Sequence, residues 1–191
     1  FVGEPVPWEP MGYYYDPDSR PGLHPYHEAG VYYLQEASAM ASAALLEPQP
    51  GEIILDLCAA PGGKSTQIAG RMQGQGLLVS NEIHPKRAKV LSRNIERLGI
   101  GNAVVTGEAP AALADRFPGF FHRIMVDAPC SGEGMFRKEE AAITDWSEEN
   151  VEMCARRQAE ILDCAAAMLR PGGRLVYSTC TFAPQEDEEA V

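Results

Sequence analysis

The stretch EIILDLCAAPGGKSTQIAGRM, Glu52 to Met72, joins a short apolar run to a helix-like one through a turn of small residues. EIILDL has the length and flanks of a buried strand, and KSTQIAGRM reads as helix. Between them Ala59, Ala60, Gly62 and Gly63 leave the backbone open to close approach by a ligand. A helix beginning near Ser65 presents unpaired N–H groups in its first turn. Strand, open turn and helix form the repeating unit of a sheet covered by helices, with ligands outside the carboxyl ends of the strands.

Outward from this unit the same rhythm continues. GLLVSNE is a strand, and PKRAKVLSRNIERLG a helix with Pro85 in its first turn and Gly99 past its end. Ala88, Leu91, Ile95 and Leu98 recur on that helix at helical spacing. NAVVT, HRIMVDAP and RLVYSTC are strands, APAALADRF a helix, and SEENVEMCARRQAEILDCAAAML a long helix capped by Ser147. Its apolar stripe is Val151, Cys154, Ala155, Ile161, Leu162, Ala165 and Leu169. Strands alternating with helices predict an α/β fold with a mostly parallel, doubly wound sheet. VYYLQEASAMASAALL, residues 31–46, reads as a helix ending before Pro48, and residues 1–30, rich in Pro, Gly and Tyr, as an irregular arm. The chain stops in PQEDEEAV, which resembles the start of another helix, so the sheet is expected to be truncated at its C-terminal side.

The 191 residues suit one domain with a real core. No apolar run approaches the roughly 20 residues that span a bilayer, and the acidic, proline-punctuated start is no secretory signal. The expectation is a cytoplasmic monomer. The net charge of −11 is concentrated at the ends: residues 1–50 hold one base and seven acids, residues 181–191 four acids and no base. With the centre nearly neutral, this argues against a domain that clamps nucleic acid by charge alone, a local basic face apart. The five cysteines are odd in number and form no C-x-x-C pair, which argues against a zinc site or a disulfide framework. His24 and His27 are separated by two residues, but Pro25 spoils a helical ligand pair; no metal is expected.

Two ligands compete for the turn. CAAPGGKS carries the G-K-S tail of a phosphate-binding loop, but Cys58 stands where that motif needs glycine, and Pro61 lacks an N–H. A nucleoside fits better, because Glu82 ends the next strand twenty residues past Gly62, where an acid suits ribose hydroxyls. With no pyrophosphate fingerprint, S-adenosylmethionine (SAM) suits the loop better than a dinucleotide. Cys130, in VDAPCSGEG, and Cys180, in YSTCTF, each stand where a strand meets its loop, which is open to packing, a disulfide, metal binding or chemistry.

DLCAAPGGKSTQIA, NEIHPKRAKVLSRNIERLG, VDAPCSGEGMFRK and LVYSTCTFAPQEDEEAV, in this order, resemble the Sun-type RNA cytosine-5 methyltransferases. HPYHEAGVYYLQEASAM resembles the RsmF-like bacterial branch of that family, which modifies small-subunit ribosomal RNA. The resemblance implies a Rossmann-like SAM-dependent methyltransferase domain over residues 31–191 and RNA, rRNA foremost, as partner. It implies that Cys58, Ala59, Ala60, Pro61, Gly62, Gly63 and Lys64 wrap the methionine end of SAM and that Glu82 holds its ribose. Glu108 is the nearest acid to the family's adenine contact. Asp127 would lie beside methyl donor and target base, Cys180 would be the nucleophile, and Cys130 would assist product release. The chemistry suits the residues: a thiolate adding to carbon 6 of cytosine makes carbon 5 nucleophilic. A tRNA cytosine-5 methyltransferase and a non-catalytic SAM-binding assembly factor are the alternatives. Cys154 and Cys164 are read as core; Arg137 and Lys138 are candidates for phosphate contact, and Tyr13–Tyr15 for base stacking.

Overall fold

A computed structural model describes residues 3–138 and 140–191. Five strands form one all-parallel sheet: β3 (Ile53–Asp56), β4 (Leu77–Asn81), β5 (Ala103–Thr106), β6 (Phe121–Asp127) and β7 (Leu169–Ser178), in the order β5-β4-β3-β6-β7. The chain runs outward from β3 through β4 to β5, then returns to lay β6 on the other side of β3. The strand order reverses between β3 and β6, which is where open α/β sheets bind ligands.

Both faces of the sheet are covered, as the near-continuous apolar strands require. Leu55, Leu57, Val79, Ile124 and Val126 point to one face and pack with Leu113 of α5 (Pro110–Arg116) and Ile161, Ala165 and Met168 of α7 (Glu148–Met168). Ile54, Leu78 and Met125 point to the other. They meet Ala43 and Leu46 of α2 (Ala37–Leu46) and Ile68, Ala69 and Met72 of α3 (Gly63–Met72). Leu91 and Ile95 of α4 (Pro85–Arg97) pack on Ala59 and Ala60, so this helix supports the β3–α3 turn directly. Ser147 caps α7, its hydroxyl accepting the Asn150 N–H at 3.1 Å.

The structure departs from the sequence reading in several places. The arm, whose first two residues lie outside the described ones, is not wholly irregular: β1 (Pro5–Val6) pairs antiparallel with β2 (Glu9–Tyr13), and α1 (Pro25–Glu28) follows. The helix expected over 31–46 begins only at Ala37, because Tyr33 to Gln35 run instead along the β3–α3 turn. A short helix, α6 (Glu140–Asp145), was not foreseen. β7 starts five residues before the expected Arg174, with RPGG bulging out between its two pairings to β6.

The arm is bound to the body at three points. Glu9, 2% exposed, accepts Nε and Nη2 of Arg71 at 3.2 and 2.8 Å and Nε2 of Gln67 at 2.5 Å, both on α3. Burial pushes the Glu9 carboxyl up, but Arg71, the Met11 N–H and Gln67 together carry it below its ordinary value. The Trp8 indole donates to Ala37 O at 2.8 Å, and Arg97 of α4 donates to His27 O. The arm thus reaches from α3 to α4, and the segment after it, Tyr33 to Gln35, lies along the β3–α3 turn.

Candidate active site

The β3–α3 turn is shaped by its neighbours. Gly62 has φ 114°, a left-handed conformation glycine adopts without strain, and a Cβ there would sit 3.1 Å from Leu91. Arg87 donates to Ala60 O at 2.8 Å and Asn94 to Pro61 O at 2.8 Å, so α4 holds the turn by its carbonyls. A cavity of about 200 Å³ opens above it, lined by Cys58–Pro61, Gly63, Lys64, Asp56 and Asp127, with Tyr33, Leu34 and Gln35 of the arm as its far wall. Asp56 is fully buried; its Oδ2 accepts from Ser65 at 2.6 Å, while Oδ1 has no partner among the described residues. Burial, opposed by the Ser65 hydrogen bond and reinforced by the Asp127 charge, pushes its pKa up to about 7.

Asp127, at the end of β6, forms an ion pair with Lys64 Nζ at 2.8 Å and accepts from the Ser178 hydroxyl at 2.9 Å. Ser178 is its register partner on β7, so adjacent strands deliver both ends of the bridge. Two residues beyond Ser178 stands Cys180, and three beyond Asp127 stands Cys130. Their sulfurs are 3.1 Å apart, and the Cys180 N–H points at Cys130 Sγ from 3.3 Å. Cys180 is exposed to solvent. The hydrogen bond from Cys130, offset by burial and helped by the Lys64 charge, lowers the Cys180 thiol to about 7. The same contact, with burial, drives the Cys130 thiol far up, so of the two sulfurs Cys180 is the one that ionises first. Burial holds Cys58 at about 12, which makes it a poor nucleophile.

The two cysteine loops are laced together. Gly134 N donates to Cys180 O at 2.7 Å, and a Cβ on Gly134 would fall 2.7 Å from that same oxygen. Glu133 Oε2 accepts from Phe182 N at 2.9 Å and from the Thr181 hydroxyl at 3.2 Å. Ser131 and Thr181 hydroxyls meet at 2.9 Å. Below them the fully buried Glu186 accepts Ser131 N at 3.0 Å and Gln158 Nε2 at 2.7 Å, and Gln158 also donates to Pro129 O.

Other expected residues lie apart from this cluster. Glu82 is buried at the end of β4, its oxygens held by the His84 N–H at 2.9 Å and Arg87 at 3.3 Å. Glu108 does not face the cavity: its side chain is 45% exposed and reaches Arg116 at 3.9 Å. The strand ends there are joined by Asn81, which the sequence reading missed; it donates to Leu57 O and Glu108 O and accepts from Thr106 Oγ1 and Glu108 N. Arg137 and Lys138 both pair with Glu36. No helix among the described residues is long and apolar enough to cross a membrane, and none of their His, Cys, Asp and Glu side chains cluster as a metal site.

The residues fit SAM on the structure's own terms. Asp56 lines the cavity with its buried Oδ1 unpartnered among the described residues, an acceptor suited to an ammonium group, and Gly63 and Lys64 bring the first turn of α3, with its N–H donors, to the same cavity for a carboxylate. The methionine end of SAM carries both.

The family model described as 16S rRNA methyltransferase RsmB/F matches residues 43–191, and that described as the N-terminal domain of 16S rRNA methyltransferase RsmF matches residues 1–37. Ribosomal RNA small subunit methyltransferase F of Vibrio vulnificus is 42% identical over 190 residues, covering 97% of this chain and 40% of the relative. The protein of that name from Citrobacter koseri is 44% identical, covering 96% and 40%. A methyltransferase homolog protein from Pyrococcus horikoshii superposes with a TM-score of 0.83 at 31% identity, covering 98% of this chain and 59% of that one. NSun6 from Pyrococcus horikoshii, solved with SFG, gives 0.78 at 32% identity, covering 88% and 43%. The chain spans about 40% of the length of the curated relatives it matches.

Proposed function

The chain belongs to the RsmB/F family of 16S rRNA methyltransferases, and from that premise we propose that its protein methylates carbon 5 of cytosine in ribosomal RNA, with SAM as donor and residues 31–191 as catalytic domain. The proposal carries a cytoplasmic location. The observation that carries it is the Cys130–Cys180 sulfur contact beside Asp127 and the SAM-suited cavity.

Cys58 to Lys64, with Asp56, would hold the methionine end of SAM, and Glu82 its ribose once Arg87 yields an oxygen. Bound there, SAM supplies an electrophilic methyl group. Cys180, poised as thiolate, adds to carbon 6 of the cytosine; the ring's electron pair moves to carbon 5, which takes the methyl. Asp127, fixed by Lys64 and Ser178, is positioned to bind the polar edge of the base and hold it during addition. The carbon 5 proton must then leave as the sulfur–carbon 6 bond breaks, restoring the aromatic ring and the Cys180 thiolate. Cys130 cannot accept that proton while Cys180 is an anion beside it. Once Cys180 is bonded to carbon the repulsion is gone, so the Cys130 thiol can give its proton to water and the resulting thiolate take the carbon 5 proton, which orders the two roles in time.

The test is trapping of the full-length protein on 16S rRNA containing 5-fluorocytosine, where the proton at carbon 5 is replaced and elimination stops. A covalent adduct that needs SAM and disappears in Cys180→Ala is expected, as is adduct accumulation on ordinary rRNA in Cys130→Ala. An adduct persisting in Cys180→Ala sinks the assignment.

A further inference from the structure

We propose that the N-terminal arm carries a second subsite, a groove that stacks an unpaired nucleobase next to the target cytosine in the RNA strand. It rests on the methyltransferase reading. The groove, of about 160 Å³, is walled by Met11, Tyr13, Tyr14, Tyr15, Tyr33 and Met40. It adjoins the catalytic cavity, since Tyr33, Leu34 and Gln35 line both. An RNA strand leaving the catalytic cavity across Tyr33 would pass over it.

The chemistry favours a base over a phosphate. Residues 1–37 hold six acids and one base, so backbone charge has nothing to bind there. Aromatic stacking needs no such charge, since every base has a π-face. Tyr13, Tyr14 and Tyr15 keep 51%, 46% and 43% of their surface exposed, which leaves part of each side chain open to a stacking partner. The platform is also rigid. Glu9 on Arg71, Trp8 on Ala37 and Arg97 on His27 fix the arm at both ends of the groove. Gly63 leaves no spare room beneath Tyr33 and Gln35, where a Cβ would lie 3.1 and 3.0 Å away. A base therefore meets walls already in place, and little ordering is needed on binding.

The experiment uses the full-length protein and a single-stranded oligoribonucleotide with a central 5-fluorocytosine flanked by 2-aminopurine. Wild type should quench the 2-aminopurine fluorescence. Tyr13→Ala/Tyr15→Ala should abolish quenching and weaken RNA affinity on the order of tenfold to a hundredfold. Tyr13→Phe/Tyr15→Phe should restore both, and calorimetric SAM affinity should not change in either variant. Unchanged RNA affinity in the alanine variant overturns the proposal. So does a parallel loss of SAM affinity, which would make the arm a brace, or self-association lost while RNA binding persists, which would give the groove to a second copy. The two readings fail separately: stacking without any covalent adduct sinks the methyl-transfer chemistry and leaves the groove standing, whereas a normal adduct indifferent to the tyrosines does the reverse.

Discussion

Replacing Cys130 by Ala should make Cys180 a worse nucleophile before any RNA is present. The lowering of Cys180 from 9.0 to about 7 has the Cys130 hydrogen bond as its largest cause. At pH 7 a thiol of pKa ~7 is about half ionised, and one of pKa ~9 about 1% ionised. Complete loss of the shift would thus cut the reactive fraction roughly 50-fold. Cys180 is exposed, and solvent screening weakens such effects, so a rise of about one unit and a fivefold loss mark the lower end. The charges nearby give independent signs. Lys64→Met should raise the Cys180 midpoint, since it removes a favourable cation and leaves Asp127 unopposed; Asp127→Asn should lower it. The assay is iodoacetamide alkylation across pH 5.5–10, resolved by mass spectrometry of the Cys180 peptide, with the buried Cys58 as internal control. A midpoint unchanged or lowered in Cys130→Ala refutes the thiol–thiolate reasoning, and so does a common shift in all three variants.

Gly134→Ala should displace the Cys180 backbone, because the new Cβ would meet Cys180 O at 2.7 Å; misplacement on this scale costs about a hundredfold in turnover, and unaltered turnover would show that the loop yields freely. Arg71→Ala strands the buried Glu9 carboxylate and should cost about 3 kcal/mol, seen as faster chymotrypsin cleavage at Tyr13–Tyr15; an unchanged cleavage rate would dissociate the arm's docking from that pair. Asp56 is raised from 3.8 to about 7, so it stays protonated in the fold where the unfolded chain ionises. Its contribution to stability is intact below about pH 4, declines as pH rises to about 7, and is flat above. Asp56→Asn should therefore be more stable than wild type above pH 7 by a few kcal/mol, and melting curves with equal pH slopes in both proteins would contradict this. Glu186→Ala should free the Ser131 and Gln158 donors and raise the Cys180 alkylation midpoint; an unshifted midpoint would show that Glu186 does not position the pair.

The parallel sheet was readable because each strand is a short apolar run bounded by turn residues, and each helix repeats its apolar face every three or four positions. β1 and β2 escaped notice because EPMGY alternates poorly and is interrupted by Pro and Gly. VYYLQE passed for a helical turn because its composition allows one; instead it packs the Tyr33 ring and the Gln35 amide against Gly63, a contact 28 to 30 residues away along the chain. Gln158 sits fully buried on the α7 stripe, where a polar residue looks misplaced until Glu186 is folded against it. Asn81 likewise has meaning only once three strand ends converge. Glu108 stands past a strand end as expected, and its pairing with Arg116 of α5 is a contact that no local pattern announces. Local pattern carries such information only when partners are near in sequence; polar residues that satisfy one another across the fold leave no periodic trace.

The sulfurs at 130 and 180 are set by the lateral pairing of β6 with β7, not by the fifty residues that connect them. That intervening stretch, α6 and α7 included, can lengthen, shorten or change shape at its outer turns while the spacing of the two atoms stays fixed. The reactive couple behaves like two pegs on neighbouring planks: slippage of one plank along the other would separate them, and a one-residue slip would also turn the side chains of β7 to the opposite face. Reactivity and strand pairing are thereby tied to a single register, so a chain misaligned at β7 would lose its chemistry together with the packing of Leu175 and Tyr177 against the core.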